Sequence, residues 1–73
     1  MKITLESTSK LVELNGVPAR IWEGTTESGI PVHAFITRLA VDKGERTEEF
    51  ERELQEHAAP SPEIAAYPLR LIL

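Results

Sequence analysis

Arg20, Trp22, His33 and Phe35 are the residue types in this chain best suited to holding a ligand. A guanidinium is a planar fork of donors that matches phosphate or carboxylate, and an indole offers a broad face on which a base can stack. Arg38 and Arg70 would add positive charge if they point the same way. The bland reading of the same cluster is a structural cation–π patch or a subunit interface. The two readings can coincide where a small oligomer binds its ligand between subunits.

Other chemistries find less support. His33 and His57 are the only histidines, 24 positions apart, and no HxxxH or HExxH spacing exists, so no metal centre is expected. There is no cysteine, which excludes a disulfide framework, a thiolate zinc site and a cysteine nucleophile. Ser28 lies near His33 in sequence but lacks the strand-to-helix elbow of a nucleophilic serine. The carboxylates crowd one segment, where all should stay ionised, rather than forming an acid–base pair with separated pKa values. The Gly24–Gly29 segment has no GK[ST] ending and no helix after it, so it reads as a hairpin loop rather than a phosphate loop. No enzyme and no cofactor are expected.

Seventy-three residues leave room for one domain, 1–73. At 41% apolar and 27% charged the chain is too apolar to be disordered. Below about 70–80 residues a core rarely supplies more than ~3–5 kcal/mol without a staple, so a homo-oligomer is expected. The segment Asp42–Glu56 holds seven acids and three bases and carries the whole net charge of −4. Binding to duplex nucleic acid is disfavoured, because counterion release needs a basic stripe. No apolar run approaches the roughly 20 residues of a membrane span. The opening residues Met1–Glu6 lack the apolar stretch of a signal peptide, so a cytoplasmic protein is expected.

The elements that must position these residues are mostly strands. Residues 2–6 alternate in polarity, and Ser7-Thr8-Ser9 reads as a polar break. Asn15-Gly16 is the strongest short hairpin signal, because a type I′ turn needs positive φ at both positions. It pairs Leu14 with Val17, Val12 with Ala19 and Lys10 with Ile21 on one face, and Glu13 with Pro18, Leu11 with Arg20 and Ser9 with Trp22 on the other. If Ile30–Val41 returns across a Gly24–Gly29 loop, Ile21 meets Val32, Ala19 meets Ala34 and Val17 meets Ile36. One face is then wholly apolar, while Arg20, Trp22, His33 and Phe35 share the other; Arg38 falls near the edge of the apolar side. Asp42–Arg46 reads as a polar turn. A helix from Thr47, as N-cap, to Ala58 is expected to lay Phe50 and Leu54 on the apolar face. Ser61-Pro62 resembles a second, short helix start. Residues 69–73 should be buried as a strand, beside residues 2–6 or against another subunit. The expected fold is α+β: an antiparallel β-meander of three to five strands with one α-helix packed on one face.

The strings Asn15–Gly24, Phe35–Val41 and Pro68–Leu73 resemble short uncharacterised proteins of tailed bacteriophages and prophages. The likeness covers most of the chain and carries no catalytic residues across. It implies an accessory, anti-defence setting in the host cytoplasm, where small proteins of this type sequester signalling nucleotides or block host proteins. The expected function is therefore an oligomeric module binding a small anionic nucleotide. The alternatives are an inhibitor or adaptor that contacts a host protein through Trp22, Phe35 and Pro31 or through the acidic helix, and a minor virion component.

Overall fold

The Asn15-Gly16 turn forms as its residue types require, with φ of 48° and 85°. In the structure, a computed structural model that describes residues 1–42, 44, 46–68 and 70–71, this turn joins β1 (Ile3–Leu14) to β2 (Val17–Thr26). Next to the turn the register is the expected one: Leu14 faces Val17, Glu13 faces Pro18, Val12 faces Ala19 and Leu11 faces Arg20.

Further from the turn the strands depart from expectation. Ser7-Thr8-Ser9 does not break the chain, and residues 2–6 form no separate strand, because β1 runs through both. Thr8, Ser9 and Lys10 stand opposite Ile21 alone, so the expected Lys10–Ile21 and Ser9–Trp22 pairs are replaced by a bulge, and Ser7 faces Trp22. The polar residues are what the bulge uses. The buried Thr8 hydroxyl donates to Ile21 O at 2.7 Å and accepts from the Lys10 N–H. Arg20 Nη1 donates to Thr8 O at 2.9 Å. Ser9 N–H donates to Ala58 O, and Ala58 N–H donates to Ser7 O, which satisfies backbone groups the bulge takes from the ladder. Two extra residues are an even number, so Leu5 and Ser7 keep the same face as Leu11.

β3 (Pro31–Ile36) corrects the meander. The loop is not Gly24–Gly29 but residues 27–29. Thr26 N–H donates to Ile30 O at 2.9 Å, and Gly29 takes the left-handed conformation at φ 88°. This is the three-residue hairpin connection. Ile21 therefore faces Phe35, Trp22 faces Ala34, Glu23 faces His33 and Arg20 faces Ile36. Relative to the expected Ile21–Val32, Ala19–Ala34 and Val17–Ile36 pairs, β3 has slid by three residues. An odd slide turns every side chain to the other face.

Among the described residues the core holds Val12, Ala19 and Ile21 on the sheet with Ile64 above them, flanked by Leu14, Phe35 and Tyr67. Ile64 belongs to a second helix. The expected covering helix, α1, spans Thr47–Glu53 rather than Thr47–Ala58; Arg46, not Thr47, is its N-cap, and it buries no residue. Leu54 remains 37% exposed. Two apolar residues among carboxylates are too narrow a stripe to seal a face, and Ala58 is held by β1. α2 (Pro62–Ala65) covers the core instead. It starts as expected: Ser61 Oγ accepts from Ile64 N–H, and Pro62 takes the first turn.

β4 (Arg70–Leu71) pairs parallel to β1 at Glu13 and Leu14, not beside residues 2–6, and completes the order β3-β2-β1-β4. The rest of the expected terminal strand, Leu69, Ile72 and Leu73, lies outside the described residues, as do Lys43 and Glu45 of the expected turn. Over the described residues the fold is α+β: a three-stranded antiparallel sheet with a short parallel fourth strand and two short helices. Among the described residues no helix is long and apolar enough to cross a membrane.

Candidate functional site

Arg20 and Trp22 lie two residues apart on β2, so alternation alone puts both on the face away from Ile64. Trp22 sits half-buried between Ser7 and Ala34, its cross-strand neighbours. Arg20 is anchored by its bond to Thr8 O. The chain leaving β3 brings the exposed Arg38 to the same place. Together with Leu11, Leu54 and His57 these residues line an open hollow of about 240 Å³. Trp22 also borders a wider hollow of about 700 Å³ under α1, whose wall holds Glu6, Asp42, Glu49, Glu53 and Glu56. The indole thus stands between a smaller hollow that holds Arg20 and Arg38 with one carboxylate, Glu53, and a wider one in which five acids outnumber Arg46.

His33 and Phe35 do not join this group. The slid register puts them on the core face with Ile21 and Glu23. There His33, Phe35 and Tyr67 meet edge to face, with ring centroids 5.1–5.8 Å apart. The Tyr67 hydroxyl hydrogen-bonds His33 Nε2. Glu23 stands beside His33 and accepts the Ser61 N–H at 2.9 Å. The Ser61 N–H and hydroxyl hold the Glu23 carboxyl below its ordinary value; burial opposes them, and the nearby His33 adds a smaller pull in the same direction. This half of the expected cluster fastens α2 to the sheet. The remaining expected site residue, Arg70, has its backbone opposite Glu13, and its side chain lies outside the described residues. Arg38 makes no ion pair with the acidic helix among the described residues; the pair found there is Arg46 with Glu49, 3.3 Å apart within α1's first turn.

Two residues of the hollow were not foreseen. Ser7 Oγ lies 3.2 Å from His57 Nδ1 and donates to Glu56 O at 2.9 Å. On distance alone the pair resembles a nucleophile and its base. The carbonyl of Glu56 can only accept, so the hydroxyl proton is shared between two acceptor directions unless His57 is the donor from Nδ1, the arrangement that satisfies both contacts at once. The pair pins the segment after α1 against β1. Nothing in the local sequence signals it, because 50 residues separate the partners. Among the described residues no three His, Cys, Asp or Glu side chains gather closely enough to hold a metal ion. Comparisons with protein-family models, curated proteins and solved structures found no match.

Proposed function

We propose that this chain is a non-enzymatic binding module, accessory to a tailed phage, that holds a small planar anion of nucleotide type against Arg20, Trp22 and Arg38. The observation that carries the reading is the preorganised pair on β2. Thr8 O takes one N–H of the Arg20 guanidinium and anchors it on the sheet, leaving the other donors for an anion. The Trp22 ring lies two residues along the same face, and Arg38 lines the same hollow, so two guanidinium groups face one carboxylate there, that of Glu53. At about 240 Å³ the recess is below the ~300–1,000 Å³ of sites that enclose a drug-sized ligand, so it suits a base or a phosphate end. The phage setting comes from the sequence resemblance alone.

Titration calorimetry and Trp22 fluorescence test the reading, using mononucleotides, cyclic nucleotides and ADP-ribose derivatives. Heat and quenching are expected with wild type and should vanish in Arg20→Ala and Trp22→Ala. A folded wild-type protein silent to every compound refutes the ligand reading.

A second reading has its own support. Leu11, Leu39 and Leu54 line the same hollow at 48%, 45% and 37% exposure, which gives Trp22 the apolar surround of an interface anchor. It predicts that Trp22→Ala abolishes a complex with a host protein while small molecules remain inert.

A further inference from the structure

The two edges of the sheet are built differently. On the β1 side the bulge, the Ala58 bridge and β4 cover much of the strand. β3 forms the other edge, with β2 as its one neighbour among the described strands. The Thr26–Ile30 closure sets the alternation along it: Val32, Ala34 and Ile36 turn their backbone groups to β2, and His33 and Phe35 turn theirs outward. Pro31 also faces outward, where its missing N–H costs the ladder nothing. The run Pro31–Ile36 contains no Lys, Arg, Asp or Glu and no bulge; Pro31 blunts its first position, and His33 and Phe35 keep their outward N–H groups. Behind it, among the described residues, stands a core of four buried apolar side chains, and the chain has no disulfide to staple it.

We propose that a second copy of this chain covers the β3 edge, pairing antiparallel across a two-fold axis with Ala34 opposite the partner's Ala34. The register follows from the donors. His33 and the partner's Phe35 then exchange both backbone groups, and the reciprocal pair does the same. Centring on His33 would set Phe35 against the partner's Pro31, which has no N–H to give. Centring on Phe35 would set His33 against the partner's Thr37, beyond the end of β3. In the chosen register the smallest side chain occupies the non-hydrogen-bonded pair, where side chains approach most closely. On the core face His33 meets the partner's Phe35 and extends the cluster with Tyr67. On the other face Val32 meets the partner's Ile36, so one apolar row runs through both copies. This inference is independent of the ligand reading.

Sedimentation equilibrium and cysteine cross-linking test it. The chain has no cysteine, so a disulfide between protein thiols in Ala34→Cys can only join two copies, and a dimer band separates it from the glutathione adduct. A non-hydrogen-bonded pair separates Cα atoms by about 4.5 Å, within disulfide reach. Ala34→Cys should form a covalent dimer in a glutathione redox buffer, and Ser28→Cys, at the loop tip, should not. His33→Pro removes an outward N–H and leaves the β2 ladder intact; dimerisation should weaken about tenfold or more. Should that variant fail to fold by circular dichroism, the cysteine pair decides. A monomeric wild type overturns the proposal. So does equal or absent cross-linking of the two cysteine variants, or a folded His33→Pro that dimerises like wild type.

Discussion

Replacing Gly24 with alanine should loosen the end of the sheet that carries Leu5 and Thr26. The added Cβ would stand 1.7 Å from the Thr4 carbonyl oxygen, 2.7 Å from its carbon and 2.9 Å from Leu5 Cα. All three are backbone atoms, so no rotamer change relieves the clash. Ordinary contact begins near 3.4 Å, so β1 and β2 must part locally by about as much again as that 1.7 Å. The pairs at risk are Leu5 with Gly24, Thr4 with Thr25 and Ile3 with Thr26, together with the Glu27 N–H bond to Lys2 O. Losing two or three backbone bonds at about 1 kcal/mol each gives ~2–3 kcal/mol, the same scale as overpacking a tight site. For a domain of this size that lowers the melting temperature by roughly 8–24 °C. Thermal melts followed by far-UV circular dichroism read the shift. Amide exchange should locate it in residues 3–7, with Val12, Ala19 and Ile21 still protected. A shift under about 2 °C, equivalent to less than ~0.5 kcal/mol, would refute the close approach of the two strands.

Ile64→Ala should cost about 2–5 kcal/mol, enough to unfold most of a domain this small, whereas Leu54→Ala should stay within about 0.5 kcal/mol. Equal losses in urea titrations would show that α1 shares the covering role given to α2. Glu23→Gln should flatten the acid limb of the stability curve. The folded carboxyl titrates below its ordinary value of 4.5, so the stability it contributes is complete above that pH and is lost as the pH falls through the lower, folded value. An unchanged slope below pH 4.5 in denaturant titrations at stepped pH would remove the Ser61–Glu23 bond from the account.

What was legible in the sequence was what neighbouring residues decide. Asn15-Gly16 set the turn and the register beside it, and Ser61-Pro62 marked a helix start, because in each case the physics lies within a few residues. The bulge was hidden because Ser7-Thr8-Ser9 looks like a loop when its partners are unknown. Thr8 bonds to Ile21 O, and Ser9 bonds to Ala58, 49 residues away. The covering helix is not legible for a related reason. Phe50 and Leu54 give a visible four-residue period, but Ile64 in a single short turn gives none, and the Glu23–Ser61 bond that holds the start of α2 joins residues 38 apart in sequence.

The partial success at the site has one physical cause. Residues i and i+2 of a strand share a face whatever the neighbouring strand does, so grouping Arg20 with Trp22 needed only that β2 be a strand. Adding His33 and Phe35 required the β2–β3 register as well. The sequence of β3 could not supply it: Val32, Ala34 and Ile36 are apolar at one parity, and Phe35 is apolar at the other. Either face of such a strand can be buried at similar gain, so the hydrophobic pattern leaves the register open and the turn decides. Here Thr26 and Gly29 close a three-residue connection, and the aromatic pair is committed to Tyr67 and the core. Apolar Val32, Ala34 and Ile36 fall beside Trp22 in its place. The same ambiguity that misled the assignment gives β3 apolar side chains on both faces of an outward edge, a surface suited to continuing the sheet into another copy.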